Sequence, residues 1–380
     1  MSVQEPSFTI GVEEEYLLVD RQTRDTVKDP PPDLMQACVD RLSSQVSPEF
    51  LRCQIEIGTR VAKDIHEARE DLMKLRACVS EECEKQGLAF IASSTHPFAD
   101  WFAERTTPKE RYQGLARDMG VAIRRLLICG MHVHVCIEDP HLRIDLMNQV
   151  RYLLPHLLAL STSSPFWQGK DTGLLSYRLA VFGDLPRSGM PEPFGSFDEY
   201  DANVQVLVNT GVIEDASKLW WDIRPSARFP TLEMRICDVC TRLEDGLTIA
   251  ALYQAMLRML YRLRRNNVSW RRYRNMLIEE NRWRAQRYGI DNGLIDFGRS
   301  GIVPYKELLN EILDLIYEDA DALGSLAEVQ RARDIIDRGT SAHKQRALYQ
   351  QATQDGESPR EAGVRVVDWL IEESMNGISA

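Results

Sequence analysis

Hydrophobic residues recur along this chain with two periods. In four short stretches they alternate with polar ones. In "TIGVEEEYLLVD" (9–20), Ile10, Val12, Tyr16 and Leu18 share a side with Glu14, and Glu13, Glu15 and Leu17 share the other. In "EFLRCQIEIGT" (49–59), Leu51, Cys53, Ile55 and Ile57 oppose Arg52, Gln54 and Glu56. In "ICGMHVHVCI" (128–137), Met131, Val133, Val135 and Ile137 oppose His132 and His134. In "TLEMRICDV" (231–239), Leu232, Met234 and Ile236 oppose Glu233 and Arg235. Successive side chains of a strand point to opposite faces. Each stretch therefore predicts a strand with one aliphatic row and one polar row.

Elsewhere the apolar positions fall three and four apart, the spacing of a helix face. Ile65, Ala68, Leu72, Leu75, Val79 and Cys83 predict a helix over 62–86, stopped by Gly87. "LAFIASS" (88–94) then predicts a strand. Further helices are expected over 144–160, with Pro155 forcing a kink or break, and over 197–208 and 248–265. The segments 304–323, 325–338 and 360–375 make the C-terminal third mostly helical. "GDLPRSGMPEPFGSF" (183–197) is the one long Gly/Pro-rich stretch and is expected to be a loop over an active site. One-sided alternation with helices between the strands predicts an α+β fold: an antiparallel or mixed sheet with helices on one face only.

Composition narrows the picture. The chain has 380 residues, 44% hydrophobic and 27% charged, as a soluble globular protein would. No run approaches the roughly 18 apolar residues of a membrane span, and no basic-then-apolar leader opens the sequence. A cytoplasmic protein without membrane association is expected. The formal net charge of −11 is a poor match to nucleic acid. Eight cysteines in such a chain are expected to be reduced thiols. Cys237-Asp238-Val239-Cys240 has redox or zinc spacing, but no helix start or second pair accompanies it, so buried strand-end thiols are expected.

The polar rows carry the chemistry. A sheet face turned to water would carry Lys, Thr, Ser and Gln. These rows carry mostly Glu, His and Arg, the residue types of metal and phosphate sites. Glu13 and Glu15 are tolerable on one face if divalent cations and arginines compensate them. Mg²⁺ takes oxygen ligands, and Mn²⁺ also accepts imidazole. Glu14 points to the apolar side and needs a different partner. Of His132 and His134, one is expected to bind metal and the other to position substrate. The other five histidines suggest no role. No G-x-x-x-x-G-K-[ST] or G-x-G-x-x-G motif is present, so any nucleotide must be held by metals and arginines.

The blocks "GVEEEYLLVD", "QIEIGT", "CGMHVHV", "SPFWQGKDTGLLSYRLAVFGDLPRSG", "WWDIRPSARFPTLEMRICDVCTRLEDGL" and "ENRWRAQRYGIDNGLID" span nearly the whole chain. In content and order they resemble the carboxylate–amine ligase branch of the type 2 glutamate–cysteine ligases, relatives of glutamine synthetase. The resemblance implies one catalytic domain over 1–380 with a curved, mainly antiparallel sheet. It implies ATP with Mg²⁺ or Mn²⁺ on the polar face, and a homodimer. It implies that ATP phosphorylates a carboxylate, which an amine then converts to an amide. Glutamate and cysteine are the best-known pair, and activity on that pair is typically weak in this branch.

By position in these motifs, Glu13, Glu15, Glu49, Glu56, His132 and Glu233 are the expected metal ligands. Arg235, Glu56 and His134 are the expected catalytic residues. Arg178, Arg224 and Arg235 are expected to hold phosphate or a substrate carboxylate, since a guanidinium fork suits both. The resemblance brings Asn281, Arg284 and Arg287 towards the nucleotide. Cys136 and Cys240 stand where the family usually has glycine and proline. Two other readings compete: a metal-dependent amide hydrolase built on His132 and His134, and a metabolite- or nucleotide-binding protein with a decayed ligase site.

Overall fold

A computed structural model describes residues 4–378 apart from 111–113, 115–116 and 118. Seven strands form the main sheet: β1 (Ile10–Asp20), β2 (Val46–Pro48), β3 (Gln54–Gly58), β4 (Leu88–Ile91), β5 (Met131–Cys136), β6 (Ile223–Pro225) and β7 (Thr231–Met234). They lie in the order β6-β7-β5-β1-β3-β2, every pair antiparallel. β4 also pairs with β1. Leu17 faces Gln54 of β3 on one side and Ile91 of β4 on the other, so β4 and β5 share one flank of β1. The long first strand is thus the sheet's spine, paired on both sides along its length.

The alternation read from the sequence holds in β1. Ile10, Val12, Glu14, Tyr16 and Leu18 are buried against the helical layer, while Glu13 and Glu15 are half-buried on the opposite face. The helices are α1 (Pro32–Leu42), α2 (Ile65–Lys85), α3 (Pro140–Val150), α4 (Leu154–Ser161), α5 (Arg178–Phe182), α6 (Phe197–Asn209), α7 (Leu243–Arg265), α8 (Asn275–Tyr288), α9 (Tyr305–Ala322), α10 (Leu326–Gln330), α11 (Ala332–Arg338), α12 (Ser341–Gln354) and α13 (Pro359–Ser374), beside shorter turns. Asp64 starts α2 by accepting from the N–H groups of His66 and Glu67. α7 begins five residues earlier than its apolar pattern indicated and is enclosed on nearly all sides as far as Tyr261. It packs on β5, α2, α3, α4, α9, α10 and α11, and so reads as a core helix rather than an amphipathic one.

One local expectation, the break near Pro155, holds, and two change. The 144–160 segment is two helices with a break at 151–153; Pro155 sits in the first turn of α4, where its missing N–H costs nothing. "EFLRCQIEIGT" is not one strand. The chain turns at 51–53, with the Gln54 N–H donating to Leu51 O at 3.0 Å. Arg52 leaves the polar row and pairs with Asp29. The 183–197 segment is pinned down rather than suspended over the polar face. Asn148 exchanges two hydrogen bonds with Phe194, at 2.6 and 3.1 Å, and the Met190 N–H donates to Glu279 at 3.2 Å. Of that segment, Leu185 alone lines the cavity described below.

All eight cysteines are free and buried. Burial pushes the Cys237 thiol up to about 12 and Cys240 well above the usual thiol range, which opposes a thiolate role for this pair. Among the described residues, no helix is long and apolar enough to cross a membrane.

Candidate active site

The polar face of the sheet floors a cavity of about 480 Å³. Its register brings the four polar rows together. Glu13 stands opposite His132, Glu15 opposite Glu56, Glu233 opposite His134, and Arg224 opposite Glu233. Directly opposed residues on one sheet face are within side-chain contact, so four stretches spread over 220 residues converge on one row.

Glu49 arrives by the turn at 51–53. On a straight strand it would stand roughly 23 Å from Glu56. The reversal instead puts it beside Glu15 and Glu56. Three groups of ligand atoms result, each with all members within 4.8 Å: Glu13, His134 and Glu233; Glu13, Glu56 and His132; and Glu15, Glu49 and Glu56. Glu13 belongs to two groups and Glu56 to two, so the three form a continuous series across the sheet.

The electrostatics show what this row lacks. Burial and the neighbouring carboxylates Glu49, Glu13 and Glu15 push Glu56 well above the usual carboxylate range. Burial and Glu15 push Glu49 up to about 7. Burial also raises Glu15, outweighing the pull of Arg178. For Glu13 burial works upward too, but hydrogen bonds with His132 and His134 outweigh it and hold the group low. Glu233 is likewise held low against burial by Arg235 and Arg224. His132, buried beside Arg235, is pushed down to about 4 and is therefore a neutral imidazole near pH 7. His132 Nε2 is buried without a hydrogen-bond partner, and His134 Nε2 stands 3.5 Å from Glu13 Oε1. Crowded carboxylates short of positive charge, next to the unpartnered His132 Nε2, form a donor set that fits divalent cations.

Arginines rim the row. Arg224 grips Glu233 through Nε at 2.8 Å and Nη2 at 3.1 Å. Arg235 pairs with the same carboxylate and approaches His132 Nδ1 at 3.4 Å. Arg178 reaches in from α5 and donates to the backbone oxygen of Arg235 at 3.1 Å. The Nε atoms of Arg178 and Arg235 are buried and lack partners. Fixed guanidiniums with spare donors suit an anion. The lining includes the apolar Ile123, Leu126, Ile128, Phe182 and Leu185, with the Phe182 ring centroid 5.4 Å from Arg178 Cζ. Trp220 and residues 226–229 also line it, the Phe229 ring 6.4 Å from that of His134.

Asn281, Arg284 and Arg287 do not line this cavity. The Asn281 amide is spent on Ile295 N–H and O, at 2.7 and 2.9 Å. Arg284 donates to the backbone oxygens of Asn292 and Gly293, and Arg287 to that of Gly173. Of their block, Arg282 is linked to the site through one neighbour. Arg282 holds the buried Asp222 at 2.6 Å, and the Asp222 carbonyl accepts from Arg235 N–H at 2.8 Å. Gln54 belongs to the cavity lining and is absent from the expected set, although it lies on the same polar row.

Glu14 finds its partner behind the sheet. Arg76 of α2 and Glu14 are both fully buried and meet in two hydrogen bonds of 2.9 Å. The other Arg76 N–H groups donate to Thr241 O, Ser374 O and Cys240 O at 2.8, 3.0 and 3.0 Å. The sequence held a signal for this: residue 76 lies four after Leu72 and three before Val79, on the apolar face of α2.

Known proteins agree with this geometry. Residues 9–363 match the model of glutamate–cysteine ligase family 2. A protein of Rhodospirillum rubrum carrying the name "Putative glutamate--cysteine ligase 2" is 58% identical, covering 100% of this chain and 98% of its own. One of the same name from Chloroflexus aggregans is 42% identical, covering 100% of this chain and 96% of its own. Among solved structures, the fold is similar to glutamate–cysteine ligase of Francisella tularensis in complex with AMP, with a TM-score of 0.65, 14% identity and coverage of 100% and 91%. It is similar to the bifunctional glutathione synthetase of Pasteurella multocida, with a TM-score of 0.70 and 14% identity, covering 98% of this chain and 53% of that one. The chain belongs to glutamate–cysteine ligase family 2 and is an ATP-dependent carboxylate–amine ligase.

Proposed function

We propose that this chain activates a small carboxylic acid, glutamate first among candidates, and couples it to a small amine such as cysteine. The γ-phosphoryl of ATP passes to a carboxylate oxygen, releasing ADP. The amine nitrogen then attacks the acyl carbon, phosphate leaves with the bonding pair, and the nitrogen loses a proton. The observation that carries this reading is the convergence of seven candidate ligand residues with Arg178, Arg224 and Arg235 on one cavity.

Glu13, Glu15, Glu49, Glu56, His132, His134 and Glu233 would hold Mg²⁺ or Mn²⁺. Such ions, when bound, neutralise phosphate charge at the transferring group. Arg235, in the centre of the row, would stabilise charge on the moving phosphoryl. Arg224 would keep Glu233 ionised and oriented. Arg178 is suited to a carboxylate: it is a single guanidinium beside an apolar wall, whereas a polyphosphate needs several cations together. The apolar wall also excludes water, which would otherwise hydrolyse an acyl phosphate. No observation favours amide hydrolysis at His132 and His134. A water activated by metal has no use for the guanidiniums of Arg178, Arg224 and Arg235 at the same cavity.

The test is phosphate release from ATP with Mg²⁺, glutamate and a panel of amines. Amine-dependent release is expected, and Glu56→Gln is expected to abolish it. Amide cleavage without ATP consumption would refute the ligase reading.

A further inference from the structure

We propose that Gly130 is a positioning residue for the Arg178 guanidinium. The inference rests on the carboxylate role given to Arg178 above. Gly130 directly precedes β5, and its φ lies outside the left-handed region, so its backbone conformation admits any residue. What it lacks is room. A Cβ there would stand 2.9 Å from Arg178 Cζ and 3.1 Å from Nε, with Nη2 nearer still. The guanidinium occupies the space that every other residue type would fill.

The rest of the cradle holds the two walls at a fixed separation. Below, the Gly130 N–H donates to Glu15 Oε2 at 2.7 Å, and the Gly130 carbonyl accepts from Glu15 N–H at 3.1 Å. Gly130 also forms a bridge pair with Asp238. On the α5 side, Arg178 N–H donates to Ser164 Oγ at 3.1 Å. The Ser164 hydroxyl donates to the fully buried Asp238 carboxylate at 2.7 Å, and the Ser176 hydroxyl does so at 2.8 Å. One residue, Asp238, therefore ties down both the strand end under the guanidinium and the helix start that carries it. Phe182 closes the remaining side, its ring centroid 5.4 Å from Cζ. Arg178 is 2% exposed, so the guanidinium is held against Gly130 rather than in open solvent. The Nε left without a partner is the donor such a cradle would keep for substrate.

A methyl group at 130 collides with the far end of a flexible side chain rather than with backbone. Gly130→Ala should therefore fold, with Arg178 displaced. The experiment measures steady-state kinetics of the full chain for Gly130→Ala, Arg178→Ala and the double variant, with calorimetric glutamate binding and Mn²⁺ binding in parallel. Gly130→Ala is expected to raise the KM and Kd for glutamate about tenfold, with kcat, the KM for ATP and Mn²⁺ affinity each within about threefold of the parent. In the Arg178→Ala background, Gly130→Ala is expected to add less than about twofold. Independent, multiplying effects would overturn the positioning role, as would a fall in kcat or Mn²⁺ affinity without a change in KM. If Arg178→Ala leaves glutamate affinity intact, the carboxylate role of Arg178 is wrong and the inference falls with it. If the parent consumes no ATP with any carboxylate, the proposed reaction fails, while glutamate binding still decides the positioning role.

Discussion

At the scale of single residues, three adjacent glutamates have two different fates. Alternation alone separates Glu13 and Glu15 from Glu14, and that separation was legible in "GVEEEY". Which group neutralises Glu14 was not written locally, because Arg76 lies 62 residues away on another element. A buried carboxylate is tolerable only with a charge partner and filled hydrogen-bond positions. Here all five Arg76 N–H groups are matched. Removing one partner strands the other, so Arg76→Met is expected to cost about 3–5 kcal/mol of unfolding free energy, read by urea denaturation. A loss below about 1 kcal/mol would show that the pair contributes little.

At the scale of elements, the strands and main helices were legible because their periods are strong. The reversal at 51–53 was not. Alternation runs unbroken through Leu51, Cys53, Ile55 and Ile57, all buried, so pattern alone cannot tell a straight strand from a turned one. The turn is fixed by Gln54, whose amide donates to Ile128 O at 2.7 Å and accepts from Leu51 N–H at 3.3 Å. Gln54→Leu would leave these buried groups unpaired and is expected to destabilise the protein by about 1–3 kcal/mol in urea. Because the turn also carries Glu49 to the carboxylate row proposed to hold metal, Mn²⁺ affinity should fall in the same variant. Unchanged Mn²⁺ binding would mean that Glu49 is not held by this turn. The block 280–289 shows the opposite failure. Its arginines are as numerous as a nucleotide clamp needs, but whether α8 reaches the cavity depends on packing that composition does not report, and none of its residues lines it.

At the scale of the whole molecule, the crowded row sets how stability answers to pH. An unfolded glutamate titrates near about 4.3. In the fold Glu49 is pushed to about 7 and Glu56 is also raised. Between these values the folded chain holds more protons than the unfolded one, so unfolding releases protons and stability falls as pH rises through that window. A divalent cation must displace the same protons, so its affinity should rise with pH. Scanning calorimetry is expected to show the metal-free Tm falling between pH 5 and pH 7.5, and a larger Mn²⁺-induced rise at pH 7.5 than at pH 6. A Mn²⁺ shift independent of pH would contradict the assignment of these carboxylates as ligands.

The Arg76 contacts also bear on the order of events during synthesis. The guanidinium waits for an oxygen on Ser374, 298 residues further along the chain. Until α13 has been made and docked, the first strand is backed by a cation with one N–H unanswered in an apolar layer. Contacts so distant in sequence close late and slow folding. The spine of the sheet is thus translated first, yet the buried cation behind it has its full set of acceptors only once the C-terminal helix has docked.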